Sequence, residues 1–201
     1  MGVLAACAPR PPVYDPLPVT APSDGRDVVV QVRPLDTRIG SDDRRRYGVD
    51  IGAYFAAFLV AVENRTTHAL AVDLAHSTLG DSSGEIAEVL SDEDLVRIYR
   101  RGGMSDSAVE LVAKAPAVVK REIEQIRAAR MVAGELAPGA RTEGVLFFRP
   151  PATGDCARSV LTIRGIETVD ERQPFEFAFP LDPCGARRQG AAPPGSTGGG
   201  Q

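Results

Sequence analysis

The chain has 201 residues and a mass of 21.3 kDa, enough for one ordinary domain with a real core. A hydrophobic content of 43% excludes disorder throughout, and a net charge of −4 sets the chain apart from the basic excess usual in nucleic-acid binders. The longest uninterrupted apolar run, Ile51 to Val62, is about twelve residues against the roughly twenty that a spanning helix needs, so it is expected in a core.

Leu4-Ala5-Ala6-Cys7 resembles the lipobox of bacterial lipoproteins, in which a leucine stands three residues before a cysteine and small residues fill the gap. Small residues let the signal peptidase close around an extended backbone. The resemblance implies an acylated Cys7, with residues 1–6 as the remnant of a signal and multiple acyl chains giving stable membrane attachment. Ala8 goes with outer-membrane sorting in that family, so the expected location is the bacterial cell envelope, at the outer membrane and facing the periplasm. N-myristoylation at Gly2 is rejected, because that motif wants Ser or Thr where Ala6 stands. Residues 7–25 then comprise the lipidated cysteine and a Pro-rich tether, a semi-extended spacer with little core-forming character.

Residues 26–185 are expected to form a single domain. Asp27 to Arg33 alternates, with Val28, Val30 and Val32 on one face of a strand that Pro34 stops. Asp36 to Asp50 reads as a charged loop whose run Arg44-Arg45-Arg46 adjoins two acids, a solvated loop rather than a phosphate-binding one. Ala53 to Glu63 is a strand covered on both faces. It is expected to form a hairpin with Ala69 to Ala75 through the turn Asn64-Arg65-Thr66-Thr67. Asn64-Arg65-Thr66 matches the glycosylation triplet but is more simply turn chemistry.

Asp81 to Gly84 ends that hairpin, and a helical insertion occupies about 91–131. Ser91-Asp92-Glu93-Asp94 caps a helix that runs to about Arg101, acidic at its start and basic at its end, and Gly102-Gly103 breaks it. A second helical region starts at Ser105. Its stripe Val109, Val112, Pro116, Val119, Ile123 and Ile126 packs on the domain, and Pro116 kinks or restarts the helix. Glu135 to Gly139 is a turn and Thr142 to Phe148 a strand. Ser159 to Gly165 and Phe175 to Phe179 pair in the register that opposes Leu161 to Phe179, Ile163 to Phe177 and Gly165 to Phe175, with Arg164 meeting Glu176 on the other face. Continued outward, that register opposes Cys156 to Cys184 at the spacing of about 5.5 Å that a disulfide needs. A bridge there argues for an oxidising compartment, in agreement with the lipobox. Residues 186–201 lack an apolar face and are expected to be a disordered tail.

Short strands at this spacing predict a mainly β chain: an immunoglobulin-like β-sandwich with a helical insertion, α+β overall. Leu136-Ala137-Pro138-Gly139 followed by Gly144-Val145-Leu146-Phe147-Phe148 is similar to a turn-and-strand signature of small immunoglobulin-like domains in secreted bacterial lipoproteins.

For chemistry the sequence offers little. His68 and His76 are the only imidazoles, and about 26 Å of straight strand between them excludes a shared metal. No nucleotide-binding, metalloprotease or serine-hydrolase motif occurs. No catalytic residue, metal or cofactor is expected. The leading reading is a membrane-anchored envelope lipoprotein acting as a non-catalytic protein-binding or assembly module. Its partners are the membrane, through the N-terminal lipid, and another envelope protein, without nucleic acid. The alternatives are a small-ligand or glycan binder using the gap between the helices and the sheet, and a hydrolase. The expected contact patch is Arg97, Tyr99, Arg100 and Arg101, basic and aromatic side chains at the end of the first helix.

Overall fold

The computed structural model describes residues 17–20, 27–35, 41–80, 84–101, 115–150 and 159–181. Cys7, Cys156 and Cys184, the spacer as far as residue 16, the helical start at Ser105 and the tail after 185 lie outside them.

Ten strands and three α-helices follow in chain order: β1 (Leu17–Thr20), β2 (Val28–Pro34), α1 (Asp42–Tyr47), β3 (Ala56–Asn64), β4 (Leu70–Val72), β5 (Thr78–Gly80), β6 (Ile86–Glu88), α2 (Asp92–Arg101), α3 (Pro116–Ala129), β7 (Gly134–Leu136), β8 (Arg141–Phe148), β9 (Ser159–Thr168) and β10 (Pro174–Leu181). The molecule is mainly β. Its small sheet has the order β2-β3-β8, and its large sheet runs β1-β10-β9-β4-β7, with β5 on β9 and β6 on β5. Among the described residues these strands pair antiparallel, and one isolated parallel bridge joins Arg130 to Val145 of β8. Residues 17–20, expected within the spacer, instead form β1 on the edge of β10.

The two sheets share a core. Val28, Val30, Val32, Phe58, Val60 and Val62 of the small sheet bury against Leu70, Val72, Leu161, Ile163, Phe177 and Phe179 of the large one. The other face of the small sheet is buried as well. Ala57, Val145 and Phe147 pack under Leu95, Ile123 and Ile126 of the helices in a second core. β3 therefore has no solvated face, which is why its sequence is a continuous apolar run. Ile123 and Ile126 bury as the helical stripe predicts, and Pro116 starts α3 at its first turn, where its missing N–H costs nothing.

The expected hairpin between β3 and β4 does not form, because β4 pairs with β7 and β9 in the opposite sheet. The turn is instead an arch between layers, and Asn64 holds it. Asn64 is fully buried, and its side-chain Nδ2 donates to the carbonyls of His68 and Leu136, both at 2.8 Å. Its Oδ1 accepts from the Thr66 N–H at 2.9 Å and from the Thr66 hydroxyl at 2.8 Å. Its backbone binds the second crossing, Ala137–Ala140, through Ala140 O at 2.9 Å and the Gly139 N–H at 2.7 Å. Asn64 thus ties together two of the crossings between the sheets, β3 to β4 and β7 to β8.

The predicted register of β9 and β10 holds from Ser159 opposite Leu181 to Ile163 opposite Phe177. Beyond that it slips by one. Ile166, not Gly165, opposes Phe175. Gly165 is the extra residue of a β-bulge, with φ of 84°, and it returns Ile166 to the inward face. The predicted pair survives on the outer face, with Arg164 Nη2 3.0 Å from Glu176 Oε1. Opposite the bulge the expected strand 69–75 breaks after Val72. Asp73 N–H donates to Gly165 O at 2.7 Å, and Leu74–His76 make one 3-10 turn that keeps Leu74 buried. Pairing resumes at Thr78. The buried Ser77 bridges the interruption, its Oγ accepting from the Arg164 N–H at 3.1 Å.

The helical insertion is closed at its base on the outer edge of β8. Leu90 N–H donates to Phe147 O at 2.8 Å before α2, and Met131 N–H to Val145 O at 3.1 Å after α3. Gly144 permits this approach, since a Cβ there would lie 2.4 Å from Met131 Cα.

Candidate functional site

The charged loop expected over 36–50 contains α1. Ser41 caps its start, accepting from the Arg44 N–H at 3.2 Å, and Gly48 ends it in the left-handed conformation. These are ordinary stop and start signals, present in the sequence as Ser-Asp-Asp and Gly. α1 is fastened to the small sheet by Arg33 of β2, which reaches both oxygens of the buried Asp43 at 2.6 Å. The arginine run is paired throughout: Arg44 with Asp50 at 3.2 Å, Arg45 with Asp42, and Arg46 with Glu143 of β8 at 2.7 Å. Of these three, Arg46 reaches the small sheet, whereas the Arg45–Asp42 pair lies within α1.

The Arg46 guanidinium holds the Glu143 carboxyl below the usual glutamate range, chiefly through their hydrogen bond. A carboxyl whose value is depressed by folding contributes stability above its unfolded value and loses it as pH falls through the folded one. Stability is therefore expected to decline on acidification through the carboxylate range. Arg46→Gln should remove its share of that slope, about 0.5 kcal/mol for so exposed a pair. Urea titrations at neutral pH and at pH 3 check this, and equal losses in both proteins would count against it.

α2 carries the predicted contact patch. Its start is a reciprocal cap, with Ser91 Oγ accepting from the Asp94 N–H at 3.1 Å and donating to Asp94 Oδ2 at 2.8 Å. Tyr99 does not belong to the patch. It lies one turn after Leu95 on the inward face and is 5% exposed. Its ring packs 4.6 Å from that of Tyr54, and its hydroxyl donates to Glu122 of α3. The spacing of Leu95 and Tyr99 by four residues already carried that signal.

Arg97, Arg100 and Arg101 are exposed. Arg97 pairs with Asp94 one turn earlier, whereas Arg100 and Arg101 have no ion-pair partner among the described residues. Together with Asp92, Glu93 and Val96 they line a shallow open groove of about 440 Å³, and Arg127 of α3 completes it. Arg127 meets both oxygens of Asp92, at 2.8 and 2.6 Å, and holds that carboxyl below its usual range. The sequence places Arg127 on the polar side of its helix; only the packing of α3 on α2 brings it into the groove.

The space between the helices and the small sheet is filled by aromatic rings. Tyr54 meets Tyr99 with the two rings tilted by 49°, and Phe55 meets Phe147 edge-on at 5.5 Å. A cavity beside α1, lined by Tyr47, Val49 and Asp50 among others, holds about 10 Å³, room for one water. His68 and His76 are both exposed. Among the described residues no group of three or more His, Cys, Asp or Glu side chains is placed to hold a metal. No described helix is long and apolar enough to cross a membrane.

No protein-family model matches the chain, and no curated protein matches it. Among solved structures it is similar to the crystal structure of the yjhA protein from Bacillus subtilis, a structural genomics target. The two are 12% identical, with a TM-score of 0.30 over 54% of this chain and 55% of that one. The chain thus spans about half the length of that structure, a likeness too slight to carry an argument about fold or role.

Proposed function

We propose that this protein is a lipid-anchored component of the bacterial cell envelope, and that its β-rich body acts as a non-catalytic protein-binding or assembly module. The motif Leu4-Ala5-Ala6-Cys7, followed by a Pro-rich stretch that leads into β1, carries this reading. Acylation of Cys7 would hold the body at the outer membrane, facing the periplasm. Tethering substitutes effective concentration for affinity, so a weak contact through Arg97, Arg100 and Arg101 suffices for such a module.

The body is read more finely as an immunoglobulin-like sandwich with a helical insertion. Antiparallel pairing between the described strands and a core shared between the two sheets support that description. A Cys156–Cys184 disulfide belongs to the same proposal. The β9–β10 register supports it, since Ser159 faces Leu181 three residues short of each cysteine.

Mass spectrometry of the protein from its own cells tests both modifications. The expected N-terminal peptide begins at an acylated Cys7, and an unreduced digest is expected to link the peptides of Cys156 and Cys184. An unmodified Cys7 inside a longer peptide, or three free thiols, would remove the basis for placing the protein in the envelope.

A further inference from the structure

We infer that the groove between α2 and α3 takes a short extended segment of a partner protein, acidic at one end and apolar at its centre. This rests on the reading of the chain as a protein-binding module and names the chemistry of what it binds. The groove is polarised along its length. Arg100 and Arg101 stand at one end, exposed and without ion-pair partners among the described residues. Glu93 stands exposed at the other end, and the half-buried Val96 forms an apolar floor between them.

The charges next to this axis are already spoken for. Arg127 is held by both oxygens of Asp92, and Arg97 pairs with Asp94. Two cations and one anion therefore remain to meet an occupant. Eight helical residues separate Glu93 from Arg101, a rise of about 12 Å, which about four residues of extended chain span. An occupant that places one or two carboxylates at Arg100 and Arg101, an aliphatic side chain on Val96 and a cation or amide at Glu93 matches every open group. A uniformly anionic surface such as a phospholipid bilayer matches less well, because it would press its phosphates on Glu93 as well as on the arginines.

Fluorescence anisotropy on the full-length protein tests this. The probe is a labelled hexapeptide with two glutamates at one end, a central leucine and a lysine at the other, made in both sequence directions. A counterpart has every charge reversed. The acidic-ended peptide is expected to bind saturably in one direction, and its counterpart at least tenfold more weakly. Arg100→Glu with Arg101→Glu should weaken the first at least tenfold and strengthen the second, with an unchanged melting temperature. Should that double variant melt early, Arg101→Gln alone carries the comparison, with about threefold weaker binding.

Equal binding of both peptides, no saturable binding of either, or full binding by the variants overturns the inference. So does tenfold stronger uptake on phosphatidylglycerol vesicles that the double variant abolishes, which would give the surface to lipid. An acylated Cys7 with no peptide binding overturns the groove alone. Peptide binding with an unmodified Cys7 overturns the anchoring alone.

Discussion

Replacing Gly165 with alanine is expected to remove more than about 3 kcal/mol of folding stability, or to prevent folding outright. Two costs add at this position. The residue sits at φ of 84°, where a Cβ is disfavoured by about 1 kcal/mol or more. The second cost is larger. A Cβ built there lies 1.8 Å from the carbonyl oxygen of Asp73, a backbone atom that cannot turn aside. Asp73 is itself bound to Gly165 by a 2.7 Å hydrogen bond, so relieving the clash means parting β9 from the segment that links β4 to β5. Gly80 supplies the control. It is also a strand glycine on β9's neighbour, but its nearest contact would be 3.9 Å away. Gly80→Ala should change stability by less than about 1 kcal/mol, so urea midpoints for the two variants should differ widely. Similar midpoints would mean that the bulge is not built as described.

The second large effect is expected at Asn64. Asn64→Ala removes the amide donor to the Leu136 carbonyl and one of the donors to the His68 carbonyl, which the Thr66 hydroxyl also reaches at 2.9 Å, and it takes the acceptor from the Thr66 N–H, at a cost of about 3 kcal/mol. Asn64→Asp separates this account from simple loss of packing. The side chain keeps its shape, but an ionised carboxylate would point an oxygen at two carbonyls. Its folded value must then lie above the unfolded one. A carboxyl raised by folding destabilises increasingly as pH climbs from its unfolded value through its folded one. The aspartate variant should therefore lie closer to the parent at pH 4 than at pH 7, whereas the alanine variant's deficit stays constant. Thermal denaturation at both values decides it, and a pH-independent deficit in the aspartate variant would show that the amide donors do not carry the arch.

The contrast between these two residues shows what a local reading reaches. Alternation in β2 identified Val28, Val30 and Val32 as one buried face, and opposing apolar pairs located Leu161 on Phe179 and Ile163 on Phe177. Such patterns are legible because each strand face repeats every second residue. Strands β5, β6 and β7, three residues each, are too short to show a period. At Gly165 the pattern gave a plausible continuation, Gly165 on Phe175, and failed by one residue because a glycine can absorb an extra position without losing the pair Arg164–Glu176. Asn64-Arg65-Thr66-Thr67 reads as a turn in either topology.

The groove follows the same division. Arg97, Arg100 and Arg101 were visible as the basic end of a capped helix, and Leu95 with Tyr99 already marked the inward face that withdraws the aromatic ring from it. Arg127 lies 26 residues further along, and no spacing rule links it to α2.

By itself the amino-acid order determined where β2, β3, β8 and α2 lie, which of their faces bury and how β9 meets β10 as far as Ile163, because capping and alternation act between residues a few positions apart. Only tertiary packing decided which sheet each strand joins and that Arg127 meets Asp92 beside α2. Those outcomes depend on contacts between segments whose sequence separation carries no periodic mark. Asn64 and Gly165 stand where the two kinds of information meet: ordinary turn and strand residues along the chain, and in space the bolts that set how the layers are joined.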